Sequence, residues 1–249
     1  MRIRIFSTPA AAARGLAAEV ARAIAKNPRL VLGLATGQTP IPFYRQLAAQ
    51  CRAVDLDCSS ITTFNLDEFL GIGADDRRSY RVFMERHLFD QLDVPSRRIH
   101  FLNGRARHVE AECRRYERAI RRAGGIDLQI LGLGTNGHIG FNEPGEALIA
   151  RTHRVWLKPA SRRANAAIFD GRATAVPHEA LSMGMATILH ARRIVLLATG
   201  AAKARCVARV VEGPLTTRVP ASLLQLHGNA EIWLDRAAAQ ALSRARAAP

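Results

Sequence analysis

Residues 130–144 read Ile-Leu-Gly-Leu-Gly-Thr-Asn-Gly-His-Ile-Gly-Phe-Asn-Glu-Pro. An apolar strand runs there into a glycine-rich turn that carries Asn136, His138 and Glu143. Glycines at 132, 134, 137 and 140 let the backbone turn tightly and leave room for a ligand. An imidazole with an ordinary pKa of about 6.5 can take and give protons near neutrality. A carboxylate close by, Glu143, can orient the ring and hold its charge. The expected chemistry is proton transfer on a small molecule.

Three other strand ends carry candidate residues. After the apolar run 30–35 comes Thr36-Gly37-Gln38-Thr39-Pro40. A glycine turn that opens a helix offers free backbone N–H groups and a positive dipole end, which suits phosphate. The loop lacks the Walker ending and the dinucleotide spacing, so it implies no nucleotide. An ordinary helix cap accounts for Thr36 and Thr39 as well. After the run 61–66 come Asp67 and Glu68, which read either as a carboxylate base or as acids of which one caps a helix or pairs with an arginine. After the run 194–199, Lys203 falls in the first turn of a helix, where the dipole disfavours a cation. An anion held there would resolve the mismatch, and Lys203 is read as a phosphate ligand. The four strand ends together describe a phosphate-anchored small substrate, one carboxylate base and a histidine–glutamate pair.

The elements that must position these residues alternate. Apolar runs at 3–6, 30–35, 61–66, 128–133, 194–199 and 232–234, most of them short and continuous, read as strands buried on both faces. Helical patterns lie between them at 10–26, 41–51, 80–91, 109–124 and 201–211. Strand and helix in alternation predict an α/β fold: a doubly wound, mostly parallel, Rossmann-like sheet with helices on both faces. In such sheets the ligand lies beyond the carboxyl ends of the strands. The 249 residues are read as a single domain over 1–249. Residues 145–186 depart from the alternation and directly follow Glu143, so they are expected to form a lid. The basic tail 243–249 is expected to fray.

Composition narrows the class. Hydrophobic residues make up 48% and charged residues 23% of the chain, as in globular proteins generally. No run approaches the roughly 18 apolar residues of a membrane span, and no secretion signal is read. Cys51, Cys58, Cys113 and Cys206 are scattered, without zinc spacing, and read as reduced cytoplasmic thiols. The net charge of +15 raises nucleic-acid binding. Its arginines, such as Arg114, Arg118 and Arg121, spread along helices without interleaved aromatics, so solvated helix faces are the favoured reading.

The motifs resemble glucosamine-6-phosphate deaminases. Phe-Asn-Leu-Asp-Glu-Phe at 64–69, Gly-His-Ile-Gly-Phe-Asn-Glu-Pro at 137–144, the Ala-Thr-Gly-Gln-Thr-Pro loop and Leu-Gln-Leu-His at 224–227 carry the likeness. Ser79-Tyr80 and Leu102-Asn103-Gly104 also fit. Related 6-phosphogluconolactonases share the fold and a Gly-His turn but do not continue with Phe-Asn-Glu-Pro. The resemblance implies the sugar-phosphate isomerase type of this fold. It also implies conversion of a hexosamine 6-phosphate and water to a ketohexose 6-phosphate and ammonia. It leaves the C4 epimer open, so the product is fructose or tagatose 6-phosphate. His138, supported by Glu143 and Asn136, would open the ring, and Asp67 would move a proton from C2 to C1. Thr36, Gly37, Gln38, Thr39 and Lys203 would hold the phosphate. No metal, nicotinamide or pyridoxal cofactor is implied. The partner is a small sugar phosphate, with no nucleic acid and no membrane, for a cytoplasmic monomer or homo-oligomer. Lactone hydrolysis and a non-catalytic sugar-phosphate sensor are the alternatives.

Two departures stand out. The family's Arg-x-Ala-Asn-x-Arg-Phe-Phe segment reads here Arg162-Arg163-Ala164-Asn165-Ala166-Ala167-Ile168-Phe169. Ala167 replaces an arginine that the resemblance assigns to phosphate, and Arg163 or Arg162 is expected to reach the phosphate instead. Some members are activated by an N-acetylated sugar phosphate through basic residues that His153 and Val155 replace here, so no such activation is expected.

Overall fold

The interior apolar runs become strands because both of their faces are covered, whereas the expected strand 3–6, an edge strand, is largely exposed. In the computed structural model, which describes residues 1–243, β1 (Arg2–Phe6) leads into α1 (Pro9–Lys26) and β2 (Val31–Leu34) into α2 (Ile41–Ala53). Next come β3 (Thr62–Asn65), β4 (Asp67–Phe69), α3 (Tyr80–His87), β5 (Ile99–His100), α4 (Val109–Arg122) and β6 (Leu128–Gly132). β7 (His153–Trp156), α5 (Pro159–Asn165), β8 (Glu179–Ser182) and α6 (Met185–Leu189) follow. The chain then runs through β9 (Arg193–Ala198), α7 (Ala204–Val211), β10 (Ala230–Asp235) and α8 (Arg236–Ala239). The basic tail, from residue 244 onward, lies outside the described residues.

Seven strands form one sheet in the order β1-β10-β9-β6-β2-β3-β5, with every pairing parallel. Side chains alternate between two cores. On β9, Ile194, Leu196 and Ala198 enter one core, and Val195 and Leu197 enter the other. Residues of α4, α6, α7 and α8 cover the first face, and residues of α1, α2 and α3 cover the second. The α/β, doubly wound expectation holds, and the six expected strands lie within two residues of their expected bounds. Local signals support the helices as well. The hydroxyl of Thr8 caps α1 by accepting the Ala11 N–H at 3.1 Å, and Pro9 opens that helix with a preset φ.

The strand order places the site. The chain leaves β2 toward β3 and β5, but leaves β6 in the opposite direction, toward β9 and β10. Adjacent strands whose connections diverge leave a crevice at their carboxyl ends.

A second, antiparallel sheet, β4-β8-β7, was not expected. The chain turns at Leu66, and Asp67 starts a new strand paired with Ser182. This changes the reading of residues 145–186. They are not one flap, because β8 is an interior strand whose Ala180, Leu181 and Ser182 are fully buried. Met183, Met185 and Ile188 continue into the main core. Among the described residues, no helix is long and apolar enough to cross a membrane.

Candidate active site

A cavity of about 310 Å³ opens at the β2/β6 crevice. Six separate stretches of chain line it: the loop after β2, the start of β4, the first residue of α3, the turn after β6, the helix α5 and Lys203 after β9. Asp67 and His138, 71 positions apart in sequence, both line this one cavity.

Asp67 is 5% exposed. Burial, and then the charge of Glu68, push its carboxyl up to about 8, against a hydrogen bond from Thr36 that favours the charged form. The strand period sends the neighbouring Glu68 elsewhere. Glu68 accepts the backbone N–H groups of Phe69, Tyr80 and Arg81 at 2.9–3.2 Å. It thereby joins β4 to the N-terminus of α3, where a carboxylate also meets the helix dipole. Burial outweighs those donors and raises Glu68 to about 7. Gly140 takes φ +55°, and a methyl group there would press on Ser182 Oγ at 3.1 Å.

The histidine corner is built differently. The His138 ring leans on Gly134, where an added methyl would stand 2.4 Å from Cε1 and Nε2. Its Nδ1 faces Ser161 Oγ at 3.4 Å and Glu143 Oε2 at 3.7 Å. Glu143 stands behind the ring and is not part of the cavity lining. Asn136 donates Nδ2–H to Glu143 Oε2 at 3.1 Å, and its Oδ1 accepts the His138 backbone N–H at 3.2 Å. The backbone N–H of Lys158 donates to Glu143 Oε1 at 3.1 Å. Burial opposes the Glu143 charge. The hydrogen bonds from His138 and Ser161, the imidazolium charge and the Lys158 N–H outweigh it and hold Glu143 down at about 2. Asn136 therefore fixes the carboxylate and the histidine backbone, not the ring itself.

At the other mouth-forming loop, Thr36, Gly37, Gln38 and Thr39 line the cavity ahead of α2. Gly37 has φ +116°, a conformation open to glycine. The N-cap of α2 is Pro40, which makes no side-chain capping bond. The threonines are thus not spent on the cap. Lys203 closes the 3-10 turn Ala201–Lys203 before α7 and lines the same cavity. Its Nζ donates to the Leu133 carbonyl at 2.7 Å, and burial lowers its pKa.

The structure does not bring Arg163 to the cavity. Arg163 is exposed and absent from the lining. Arg162 is tied down by the carbonyls of Val176 (3.0 Å) and Thr174 (3.1 Å). The face of α5 that does line the cavity carries Ala160, Ser161, Ala164 and Asn165, so the one-turn spacing from Arg163 to Ala167 lies on a different face.

Three further residues carry no assigned role in the sequence reading. Tyr80 lines the cavity and donates its hydroxyl to Asn165 Oδ1 at 2.8 Å, and Asn165 Nδ2 bonds back to the Ser161 carbonyl at 2.9 Å. This chain of bonds ties the Asp67 side to the helix that touches His138. In sequence, Tyr80 and Ser161 look like ordinary first-turn helix residues. Only the serine–tyrosine pair shared with the resembling family hinted at Tyr80. Among the described residues, no group of three or more His, Cys, Asp or Glu side chains could hold a metal ion.

Residues 7–233 match the sequence model of glucosamine-6-phosphate isomerases and 6-phosphogluconolactonases. The glucosamine-6-phosphate deaminase of Alkaliphilus metalliredigens is 47% identical over 240 residues, 96% of this chain and 99% of that one. That of Halothermothrix orenii is 46% identical over 242 residues, 97% of this chain and all of that one. A solved structure of a monomeric glucosamine-6-phosphate deaminase superposes with a TM-score of 0.93 at 42% identity, covering 97% of this chain and 100% of the other.

Proposed function

We infer that this chain, which belongs to the family of glucosamine-6-phosphate isomerases and 6-phosphogluconolactonases, is a glucosamine-6-phosphate deaminase. It converts glucosamine 6-phosphate and water into fructose 6-phosphate and ammonia. Its relatives of that name at 46–47% identity support this activity.

The observation that carries the residue roles is the shared cavity of Asp67 and His138. An ionised acceptor at His138 Nδ1 keeps a proton on that nitrogen and leaves Nε2 to accept one. Nε2 takes the proton of the sugar's C1 hydroxyl and returns one to the ring oxygen, which opens the ring. Glu143, held ionised, balances the imidazolium that forms in between. Asp67 then takes the C2 proton and delivers it to C1. The C2–N bond becomes an imine, water adds to it, and ammonia leaves.

A base needs its proton removed, and Asp67 holds one at neutral pH before substrate binds. The substrate supplies the remedy. Its ammonium at C2 would sit beside the carboxyl and favour the charged form. The residual high proton affinity then suits abstraction from carbon. Thr36, Gly37, Gln38, Thr39 and Lys203 hold the phosphate and keep C1 and C2 in register. All of these side chains come from one chain, so a single copy suffices. The kinetics are expected to be hyperbolic and insensitive to N-acetylglucosamine 6-phosphate.

The test is an ammonia-release assay on glucosamine 6-phosphate, with galactosamine 6-phosphate alongside. Release from the gluco epimer is the expected result. Hydrolysis of 6-phosphogluconolactone without release of ammonia from either amino sugar would overturn the assignment.

A further inference from the structure

Among the described residues, Lys203 is the one lysine or arginine in the lining of the main cavity, and it is partly engaged by the Leu133 carbonyl. A phosphate monoester carries up to two charges near neutrality, so a single engaged cation leaves it under-compensated.

A second cavity, of about 240 Å³, adjoins the first, and Gln38 of the phosphate loop lines both. Ala164 lines the first cavity and Ala167, three residues on, lines the second. The methyl of Ala167 leaves this second space open. The cations there come from elsewhere: Arg77, and Arg86 with His87 at the end of α3. Arg77 is spoken for, because Asp170 holds it through both carboxylate oxygens at 2.9 and 3.1 Å. Burial, and then the nearby charges of Arg45 and Arg86, lower the pKa of His87. Arg86 has no hydrogen bond or ion pair among the described residues. The neighbourhood of Gln38 therefore holds a guanidinium without an anion, next to a loop shaped for one.

We propose that Arg86 is a specificity-determining residue that grips the substrate phosphate from α3, through the space that Ala167 leaves open beside Gln38. A guanidinium is suited to this, since its planar fork can pair two phosphate oxygens at once. The phosphate is then held between Lys203 and Arg86, with Gln38 and the loop N–H groups between them. This rests on the sugar-phosphate reading of the main cavity.

The experiment is steady-state kinetics of Arg86→Met, together with inhibition by inorganic phosphate. Arg86 is on an exposed helix position, and a thermal melt checks that the fold persists. Loss of one charge-assisted contact predicts a KM for glucosamine 6-phosphate raised at least about tenfold, with kcat within about twofold. The inhibition constant for inorganic phosphate rises in parallel. Introducing Ala167→Arg into the Arg86→Met protein places a guanidinium back in the same space and lowers KM again. An active wild type whose KM and phosphate inhibition are unmoved by Arg86→Met overturns this assignment and leaves the deaminase reading intact. A wild type that releases no ammonia at all fails that reading instead.

Discussion

The side chains of the site's two acids are both largely covered, yet their surroundings push them in opposite directions. Asp67 rises to about 8, and Glu143 falls to about 2. Desolvation is the leading influence on each. What differs is the supply of donors. Asp67 has one hydroxyl and a like-charged neighbour, whereas Glu143 collects Asn136, Lys158, Ser161 and the imidazole. Burial creates the demand for hydrogen bonds, and the local chain decides whether it is met. One cavity thereby holds an acid with high proton affinity and an acid that stays charged, as a sequence of proton transfers requires.

The largest test of this contrast is Asp67→Asn. Without the C2 base, kcat is expected to fall by about 10³-fold or more. Stability should move the other way. The folded-state value lies above the unfolded one, so the native protein retains a proton across the interval between about 4 and 8. Its contribution is full below that interval and is lost as pH rises through 8. The amide variant would escape the loss, so melting curves at pH 9 should show it about 3 °C or more above the parent. Equal melting temperatures at pH 9 would mean that Asp67 is not held protonated.

Glu143→Gln probes the opposite corner. The imidazolium loses its counter-charge, and kcat is expected to fall about 10²-fold, less than for Asp67 because the imidazole remains. The stability effect has the reverse sign. Glu143 is depressed, so its contribution is present above about 4.5 and is lost as pH falls toward 2. The variant should be less stable than the parent at pH 7, and the two should converge in acid. A gap that persists undiminished at pH 2 would argue that packing, not charge, is at stake.

How far these corners can be read from sequence follows from how local their causes are. The central strands β2, β6 and β9 are legible because burial on both faces writes itself as runs of Val, Ile and Leu, while β1 alternates Arg with Ile at an exposed edge. Asp67, His138 and the 36–39 loop are legible because each lies just past an interior strand. The small sheet is not, because β4 is three residues long and its partner β8 lies more than a hundred positions away. β7 is half-exposed and carries no continuous apolar run. Arg163 is misjudged for a related reason. Spacing along α5 says which residues share a face, but not which face meets the cavity. Ser161 and Asn165 hold that face, and nothing in their own neighbourhood announces it.

Gly134→Ala offers a finer cut. The new methyl would collide with the far end of the His138 ring, which can swing away at little cost to the fold. A displaced imidazole is expected to lower kcat about 10–100-fold. The melting temperature should stay within about 2 °C of the parent. A large loss of stability with unchanged kcat would show that the ring is not free to move and is not needed where it stands.

The smallest expected effect is also the most diagnostic. Asn136 Nδ2 sits 3.1 Å from Glu143 Oε2. Asn136→Asp would replace that donor with a second carboxyl at hydrogen-bond distance. Two carboxylates so close cannot both ionise freely, so the pair would share a proton over part of the pH range. Glu143 would no longer be held down at about 2, and the acid limb of the kcat/KM profile should move to higher pH. Activity near pH 8, where both groups are ionised, should stay within about tenfold of the parent. The Asp67 limb should not move, because the side-chain bonds of Asn136 among the described residues go to Glu143 and the His138 backbone. A profile that shifts on its alkaline limb alone would join the two corners into one titrating unit. A profile that does not shift at all would mean that the carboxylate behind the imidazole does not set the histidine's chemistry.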